Sequence, residues 1–287
     1  MTRSLHPTRP LIIEADPQQA EMTVIQSRLD DFARPYGGDA MRPVAAFLRD
    51  EAGLIRGGVY GEIGWGWMYI DLLWVDHTYK GAGYGRALMD SLEAHAHQAG
   101  VERVFLATTS FQSLPFYVHL GFRLFGTLTD RPPGYNYYYV WRDIHPRTPS
   151  RPFTVQDNPP MKDVRTLARG LGAYNASRGV MGKGERLVIF LRTLNGTLIG
   201  GLLGMTYWGW FDLQHLWIDD SYRGQGYGTQ MLLLAEAESK RRGCPNVVTD
   251  AADFHNIDFF HAHGYHTFGT LPERPAGHIT HFMQKQL

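Results

Sequence analysis

The sequence predicts two copies of one domain in tandem, each of the α/β or α+β class with a mixed sheet. Three observations carry that reading. A block opening at Trp65-Gly66-Trp67 recurs at Trp208-Gly209-Trp210, an offset of 143 residues, and 11 of the 21 pairs from Trp65/Trp208 to Gly85/Gly228 are identical. The same offset relates Gly121-Phe122 to Gly264-Tyr265, and Phe125-Gly126-Thr127-Leu128 to Phe268-Gly269-Thr270-Leu271. In both copies, apolar strand-like runs alternate with helical stretches. A repeat this long is a whole domain, since solenoid units run to about 20–50 residues.

The elements follow in order. Leu11-Ile12-Ile13 reads as a first strand, and Phe153-Thr154-Val155 as its counterpart. A helical region comes next, about 18–33 in copy one and about 161–177 in copy two. Two strands follow, 45–49 and 54–60, matched by 187–194 and 197–205. Gly196 after Asn195 suits the turn of the second pair, because both residues tolerate positive φ. An apolar strand over 69–75 or 211–218 leads into a Gly-rich turn, which opens a helix over about 84–99 or 227–241. Gly100 and Gly243 stand where a helix C-terminal glycine belongs. Then come a strand (104–108; 246–249), a short helix (113–119; 257–263) and two closing strands, the last over 136–143 or 278–285.

Between the copies, His145-Pro146-Arg147-Thr148-Pro149-Ser150-Arg151-Pro152 is polar, carries three prolines and has no periodicity. It reads as the linker, giving domains over 1–147 and 148–287. Lys plus Arg equals Asp plus Glu at 28 each, so no bulk charge draws the chain to nucleic acid or an anionic membrane. No stretch reaches the ~18 apolar residues of a membrane span, and residues 1–16 lack a signal-peptide core. One thiol, Cys244, offers no internal disulfide, which suits a reducing cytoplasm. The expectation is a cytoplasmic protein, monomeric because its internal pseudo-symmetry replaces a homodimer, with no resident metal.

The chemistry is sought at the Gly-rich turns. A helix that begins directly after glycines offers unpaired backbone N–H groups and the positive end of its dipole to an anion. Glycines also remove the Cβ atoms that would hold a phosphate away. A nucleotide P-loop requires Gly-Lys-Ser/Thr at its end, but Arg86-Ala87 and Thr229-Gln230 follow Gly85 and Gly228. A dinucleotide fingerprint puts its third glycine where Arg86 and Thr229 stand, so it fails too. The spacing that fits is Arg/Gln-x-x-Gly-x-Gly/Ala after an apolar strand. Arg223-Gly224-Gln225-Gly226-Tyr227-Gly228 matches it throughout; Lys80-Gly81-Ala82-Gly83-Tyr84-Gly85 departs only in the lysine.

That pattern resembles the coenzyme A pyrophosphate loop of the GNAT family of N-acetyltransferases. Phe116-Tyr117-Val118-His119-Leu120-Gly121-Phe122 is similar to the family's Tyr-x-x-x-Gly-Phe segment, and Leu73-Trp74-Val75 and Leu216-Trp217-Ile218 to the strand that pairs with pantetheine. The resemblance spans nearly all of both copies and is weakest over the first helical regions. It implies a mixed, mostly antiparallel, twisted sheet flanked by helices. It also implies acetyl-CoA as donor and direct transfer of acetyl to an amine. The implied CoA-contacting residues are Leu73, Trp74, Val75, Lys80, Gly81, Ala82, Gly83, Tyr84, Gly85 and Arg86. In the second copy they are Leu216, Trp217, Ile218, Arg223, Gly224, Gln225, Gly226, Tyr227, Gly228 and Thr229.

The copies diverge at the implied catalytic positions. The family's proton donor falls on Tyr117; the matching residue in copy two, Phe260, has no hydroxyl. Asp253, His255 and Asn256 are possible substitutes there, with Asn256 equally suited to capping a helix. For the base, Asp71 lies on the strand before the loop and is matched by Gln214; Glu62, or Asp212 and His215 in copy two, are the other options, and water alone is another. The tyrosines of 135–139 with Trp141 form either an aromatic wall or a strand packed on the other copy. The favoured reading is an acetyltransferase acting on a small-molecule amine, with chemistry in the N-terminal copy. A protein amine as acceptor and a non-catalytic CoA sensor are the alternatives.

Overall fold

The computed structural model describes residues 8–145 and 147–287. The first half holds helix α1 (Gln19–Ala33), strands β1 (Arg42–Arg49), β2 (Ile55–Gly64) and β3 (Trp67–Val75), helix α2 (Tyr84–Gln98), strand β4 (Arg103–Thr109), helix α3 (Leu114–His119) and strands β5 (Arg123–Leu128) and β6 (Tyr137–Asp143). The second half holds β7 (Val155–Asp157), α4 (Met161–Ser177), β8 (Glu185–Arg192), β9 (Leu198–Tyr207), β10 (Trp210–Ile218), α5 (Tyr227–Arg241), β11 (Asn246–Ala252), α6 (Ile257–Ala262), β12 (His266–Pro272) and β13 (Ile279–Gln286). The elements read from the sequence are all present within a few residues, except that the first strand is reduced to isolated bridges at Thr8 and Ile13.

Each half contributes a mixed, mostly antiparallel sheet, in the orders β5-β6-β4-β3-β2-β1-β7 and β12-β13-β11-β10-β9-β8. Among the described residues, the only parallel pairs are β3 with β4 and β10 with β11. The repeated Trp-Gly dipeptides form the two-residue turns of the β2–β3 and β9–β10 hairpins. Trp65 and Gly66 sit at φ 56° and 72°, Trp208 and Gly209 at 55° and 75°. Positive φ at both turn positions matches the right-handed twist of the flanking strands.

The elements do not stay with their halves. The division at 147/148 separates the repeats, but both sheets are completed across it. β7, from the second half, pairs with β1 of the first sheet over Val44–Asp157, Ala45–Gln156 and Ala46–Val155. Helix α4 follows it onto that sheet's outer face, where Val164 and Leu167 bury against Ala45, Phe47, Leu72 and Trp74. Reciprocally, Thr8 and Ile13 bridge to Thr193 and Ile189 of β8. Helix α1 then buries Met22 and Ile25 against Val188, Phe190, Leu203 and Trp217 of the second sheet. Glycines in the sheets admit the exchanged helices: a Cβ on Gly58 would stand 3.0 Å from the Leu167 side chain, and one on Gly201 2.9 Å from Ile25.

The opposite, inner face of each sheet carries the main core. Helices α2 and α3 cover the first sheet around Met68, Leu88, Leu92, Leu106 and Val140; α5 and α6 cover the second around Ile189, Phe211, Met231 and Leu232. The halves meet through an aromatic interface of Trp67, Phe105, Phe282 and their neighbours. Phe268 packs on Gly126 and Phe125 on Gly269, a pair related by the repeat offset. Trp141 and Tyr139 join this interface, while Tyr138 turns into the first core.

Candidate active site

Both Gly-rich turns are helix entries with the same geometry. Gly83 (φ 82°) is the N-cap of α2 and Gly226 (φ 81°) that of α5, a left-handed conformation that glycine adopts without steric cost. The first helical bonds are Ala87 N–H to the Gly83 carbonyl at 3.1 Å and Gln230 N–H to the Gly226 carbonyl at 3.0 Å. The N–H groups of Tyr84, Gly85 and Arg86, and of Tyr227, Gly228 and Thr229, therefore have no partner inside their helices. A Cβ on Gly81, Gly83 or Gly224 would meet nothing within 4 Å, so the space over each entry is open to an anion. Asp76 and Asp219 brace the preceding turns by accepting from Thr78 N–H and Ser221 N–H, each at 3.0 Å.

The cations beside the loops are engaged by the exchanged helices. Lys80 Nζ lies 4.3 Å from the Tyr174 ring of α4. Arg223 stands over Phe32 of α1, donates to the Ile218 carbonyl at 2.9 Å and pairs with Asp220 at 2.8 Å. Trp74 and Trp217 are mainly helix seats: Trp74 presses on Gly170 of α4, and Arg28 of α1 covers Trp217. Tyr227 shares a hydrogen bond with Thr8 (3.2 Å), and Tyr84 lies under Arg151. Ala82 and Gln225 stand at the exposed tips of the two turns. Thr229 contacts His263 Nε2 at 3.0 Å.

The strands before the loops part from their parallel neighbours. The β3–β4 ladder ends at Ile70–Leu106, although β3 runs on through Leu73, Trp74 and Val75. The β10–β11 ladder ends at Asp212–Val248, ahead of Leu216, Trp217 and Ile218. Each opening coincides with a β-bulge: Asp71 is the extra residue between Leu72–Tyr60 and Ile70–Gly61, and Gln214 is its counterpart in β10. A bulge puts two successive side chains on one face. Trp67, Tyr69, Asp71, Leu72 and Trp74 thus face outward, while Met68, Ile70, Leu73 and Val75 face the core.

Asp71 stands on that outer face between the part that α4 covers and the part that the second sheet covers. It opens into a cavity of about 370 Å³ at the junction of the halves, lined also by Glu62, Arg131 and Asp212. Its carboxyl reaches cavity solvent, yet protein surrounds it on most sides. That enclosure, with the Glu62 charge second, raises it to about 6. Tyr117 sits on the other side of the parted strands, at 8% exposure, in the first core against Phe116 and Phe122. Burial pushes its phenol well above the usual value, so it is a proton donor rather than a phenolate at neutral pH. Tyr117 and Asp71 thus lie on opposite faces of the first sheet.

Copy two is arranged differently. Phe260 fills the Tyr117 position in its core. Asn256 caps α6 by accepting from Phe259 N–H at 3.1 Å, and Asp253 bonds His278 (2.7 Å) and Ile279 N–H (3.0 Å). His255 lies in an aromatic stack with Phe32, Phe254 and Trp65, in which Tyr36 and Phe254 are 4.4 Å apart and parallel. His215 lines a smaller cleft of about 160 Å³ under α1, where burial lowers its pKa and keeps the ring neutral. Tyr137, named in the aromatic-wall reading of 135–139, lines the larger cavity, whereas Arg131, Tyr207 and Trp208 escaped the sequence reading as partners of Asp71. Their only sequence signal was position within the repeated Trp-Gly and Arg-Pro segments.

Fold and site together define an acyltransferase built on a duplicated acetyl-CoA-binding domain. The profile of the acetyltransferase (GNAT) family matches residues 12–122 and 148–265, and the chain belongs to that family, whose acyl donor is acetyl-CoA. It is 35% identical over 101 residues to a blasticidin-S acetyltransferase of Streptomyces morookaense, covering 35% of this chain and 74% of the relative. An acetyltransferase of Agrobacterium fabrum is 27% identical over 134 residues, covering 47% of this chain and 98% of the relative. Among solved structures, a Bacillus cereus acetyltransferase shares 29% identity, covering 45% of this chain and 95% of its own, with a TM-score of 0.42.

Proposed function

We propose that the protein moves acetyl from acetyl-CoA to a primary amine of a small molecule, metabolite or antibiotic, and that copy one does the chemistry. The observation that carries the reading is the opening between β3 and β4 beside Asp71 and its cavity, on a sheet whose other face packs the core that holds Tyr117. Pyrophosphate would rest on the free N–H groups of Tyr84, Gly85 and Arg86, and the pantetheine arm along Leu73 to Val75. The amine arrives protonated and must lose a proton before attack; Asp71, directly or through water, accepts it. The nitrogen then bonds to the thioester carbonyl carbon as the carbon–sulfur bond breaks. The acylated nitrogen sheds its second proton to solvent, while Tyr117 gives its proton to the departing thiolate and recovers one from solvent. The cavity's size suits a small amine rather than a polypeptide.

The test is thiol release from acetyl-CoA against a panel of amines, beginning with blasticidin S because one relative is named for it. Release with at least one amine, abolished in Asp71→Asn and Tyr117→Phe, supports the reading. Unimpaired turnover in both variants refutes the choice of copy. Loss of CoA binding in a folded Gly83→Val/Gly226→Val double variant tests the loops separately.

A further inference from the structure

The cavity beside Asp71 is not a property of copy one alone. Tyr60, Glu62, Tyr69 and Asp71 come from β2 and β3, but the facing wall is Tyr207, Trp208, Asp212 and Gln214 of the second half. The pseudo-twofold relation is broken at this point. Asp212 occupies the position matching Tyr69, and Gln214 that matching Asp71. Arg131 reaches across the interface to Asp212 at 2.7 Å, whereas its counterpart Arg274 bonds Asp250 of its own half at 3.3 Å. The tip of the other hairpin is placed differently: Trp65 stacks on His255 and lies tilted against Phe254.

The chamber's chemistry is specific. Three carboxylates, Glu62, Asp71 and Asp212, face one guanidinium, so the chamber attracts a cation. Arg131 is 4% exposed, and its Cζ lies over the Tyr137 ring, 4.6 Å from the ring centroid. One nitrogen serves Asp212, while Nε and Nη1 have no hydrogen-bond partner among the described residues, nor does Trp208 Nε1. A buried guanidinium with idle donors leaves desolvation uncompensated, which an acceptor oxygen on a ligand corrects.

We propose that this chamber is the acceptor site, that the second copy supplies its specificity wall, and that the ligand is a primary amine carrying an acceptor oxygen a few bonds from its nitrogen. The nitrogen sits at Glu62 and Asp71, and a carboxylate or carbonyl oxygen at Arg131, with the Trp208 ring closing the wall. The proposal rests on the acetyltransfer reading for what happens next, but the binding it describes does not.

The experiment separates the two. L-ornithine and putrescine, the same diamine with and without a carboxylate, are titrated calorimetrically into the full-length, CoA-saturated protein. Ornithine is expected to bind about tenfold tighter than putrescine. Trp208→Gly, which keeps the positive-φ turn, is expected to weaken ornithine about tenfold, while the mirror variant Trp65→Gly leaves it unchanged. Tyr207→Phe, a gentler change on the same wall, guards against misfolding and should weaken ornithine in the same direction. Equal binding of the two probes, no binding of either, or equal effects of the Trp65 and Trp208 changes overturns the proposal. Amine binding of the expected pattern without thiol release from acetyl-CoA would instead overturn the acetyltransfer reading and leave the chamber standing.

Discussion

The contrast between Tyr117 and Phe260 makes the most direct test at the scale of single residues. Tyr117→Phe keeps the ring that packs on Phe116 and Phe122 but removes the hydroxyl. General acid assistance is worth about 10²–10⁴-fold, so kcat should fall by that order with CoA affinity unchanged, while Phe260→Tyr should alter neither. Asp71 sets the acid limb of the pH profile: its carboxyl is raised to about 6, so kcat/KM should climb as pH rises through that value and flatten above it. Because the native group holds its proton to higher pH than the unfolded one, Asp71 also makes the fold slightly less stable above pH 6 than below pH 4. A second pair of positions predicts a gain. In copy two, buried Glu236 takes Lys285 at 2.6 Å and the Tyr265 hydroxyl at 3.0 Å. In copy one, Glu93 has Arg142, but Phe122 replaces the tyrosine and one Glu93 oxygen has no partner. Phe122→Tyr should satisfy it, adding about 1 kcal/mol and raising Tm by about 2–4 °C in thermal unfolding. No change in Tm would mean that the hydroxyl does not reach Glu93.

At the scale of elements, the exchanged helices carry the instructive contacts. Gly170 lies inside α4, where alanine would ordinarily favour the helix by about 1 kcal/mol. Its Cβ, however, would stand 2.3 Å from Trp74 Cε2. Gly170→Ala should therefore destabilise, by about 1–3 kcal/mol, and displace Trp74 from beside the proposed pantetheine path. Urea unfolding and tryptophan fluorescence report the two effects; a stabilised variant would contradict this packing. Leu167→Ala should cost about 2–5 kcal/mol through the cavity left over Gly58. The sequence made the elements legible because each has local cues: α5 starts at the glycine that caps it and ends before Gly243. It did not reveal which sheet α1 and α4 cover. Buried positions such as Ile25 and Leu167 mark an apolar face, but two sheets with equivalent glycines, Gly58 and Gly201, offer it equivalent seats. The cavity was hidden for the same reason. Asp71 and the loops stand within one repeat, whereas Arg131, Trp208 and Asp212 meet only once the halves are docked.

For the whole molecule, the exchange predicts how the chain responds to being divided. A fragment ending at residue 147 lacks β7 and α4, which leaves Ala45, Phe47, Leu72 and Trp74 uncovered. Produced alone, it should aggregate; produced together with 148–287, it should assemble into a soluble complex with the intact protein's CoA affinity. Protease should cut first near residues 145–152, which form no helix or strand where described. The cut halves should then co-elute in size-exclusion chromatography, since each holds a helix buried on the other's sheet. Halves that part freely and remain soluble would mean that the crossed helices are not needed.

The same crossing sets an order of assembly during translation. The first sheet can finish as soon as residue 177 has emerged, because everything it needs lies between 42 and 177. The second cannot: its covering helix, α1, is made first, and its last strand, β13, ends at residue 286. Helix α1 must therefore wait, apolar face unsatisfied, for most of the polypeptide to leave the ribosome. At about 5–20 residues per second, that wait lasts on the order of 10–50 s. A burden on chaperones during synthesis thus falls on one short amphipathic segment, and its duration is set by the distance along the chain between that helix and β13.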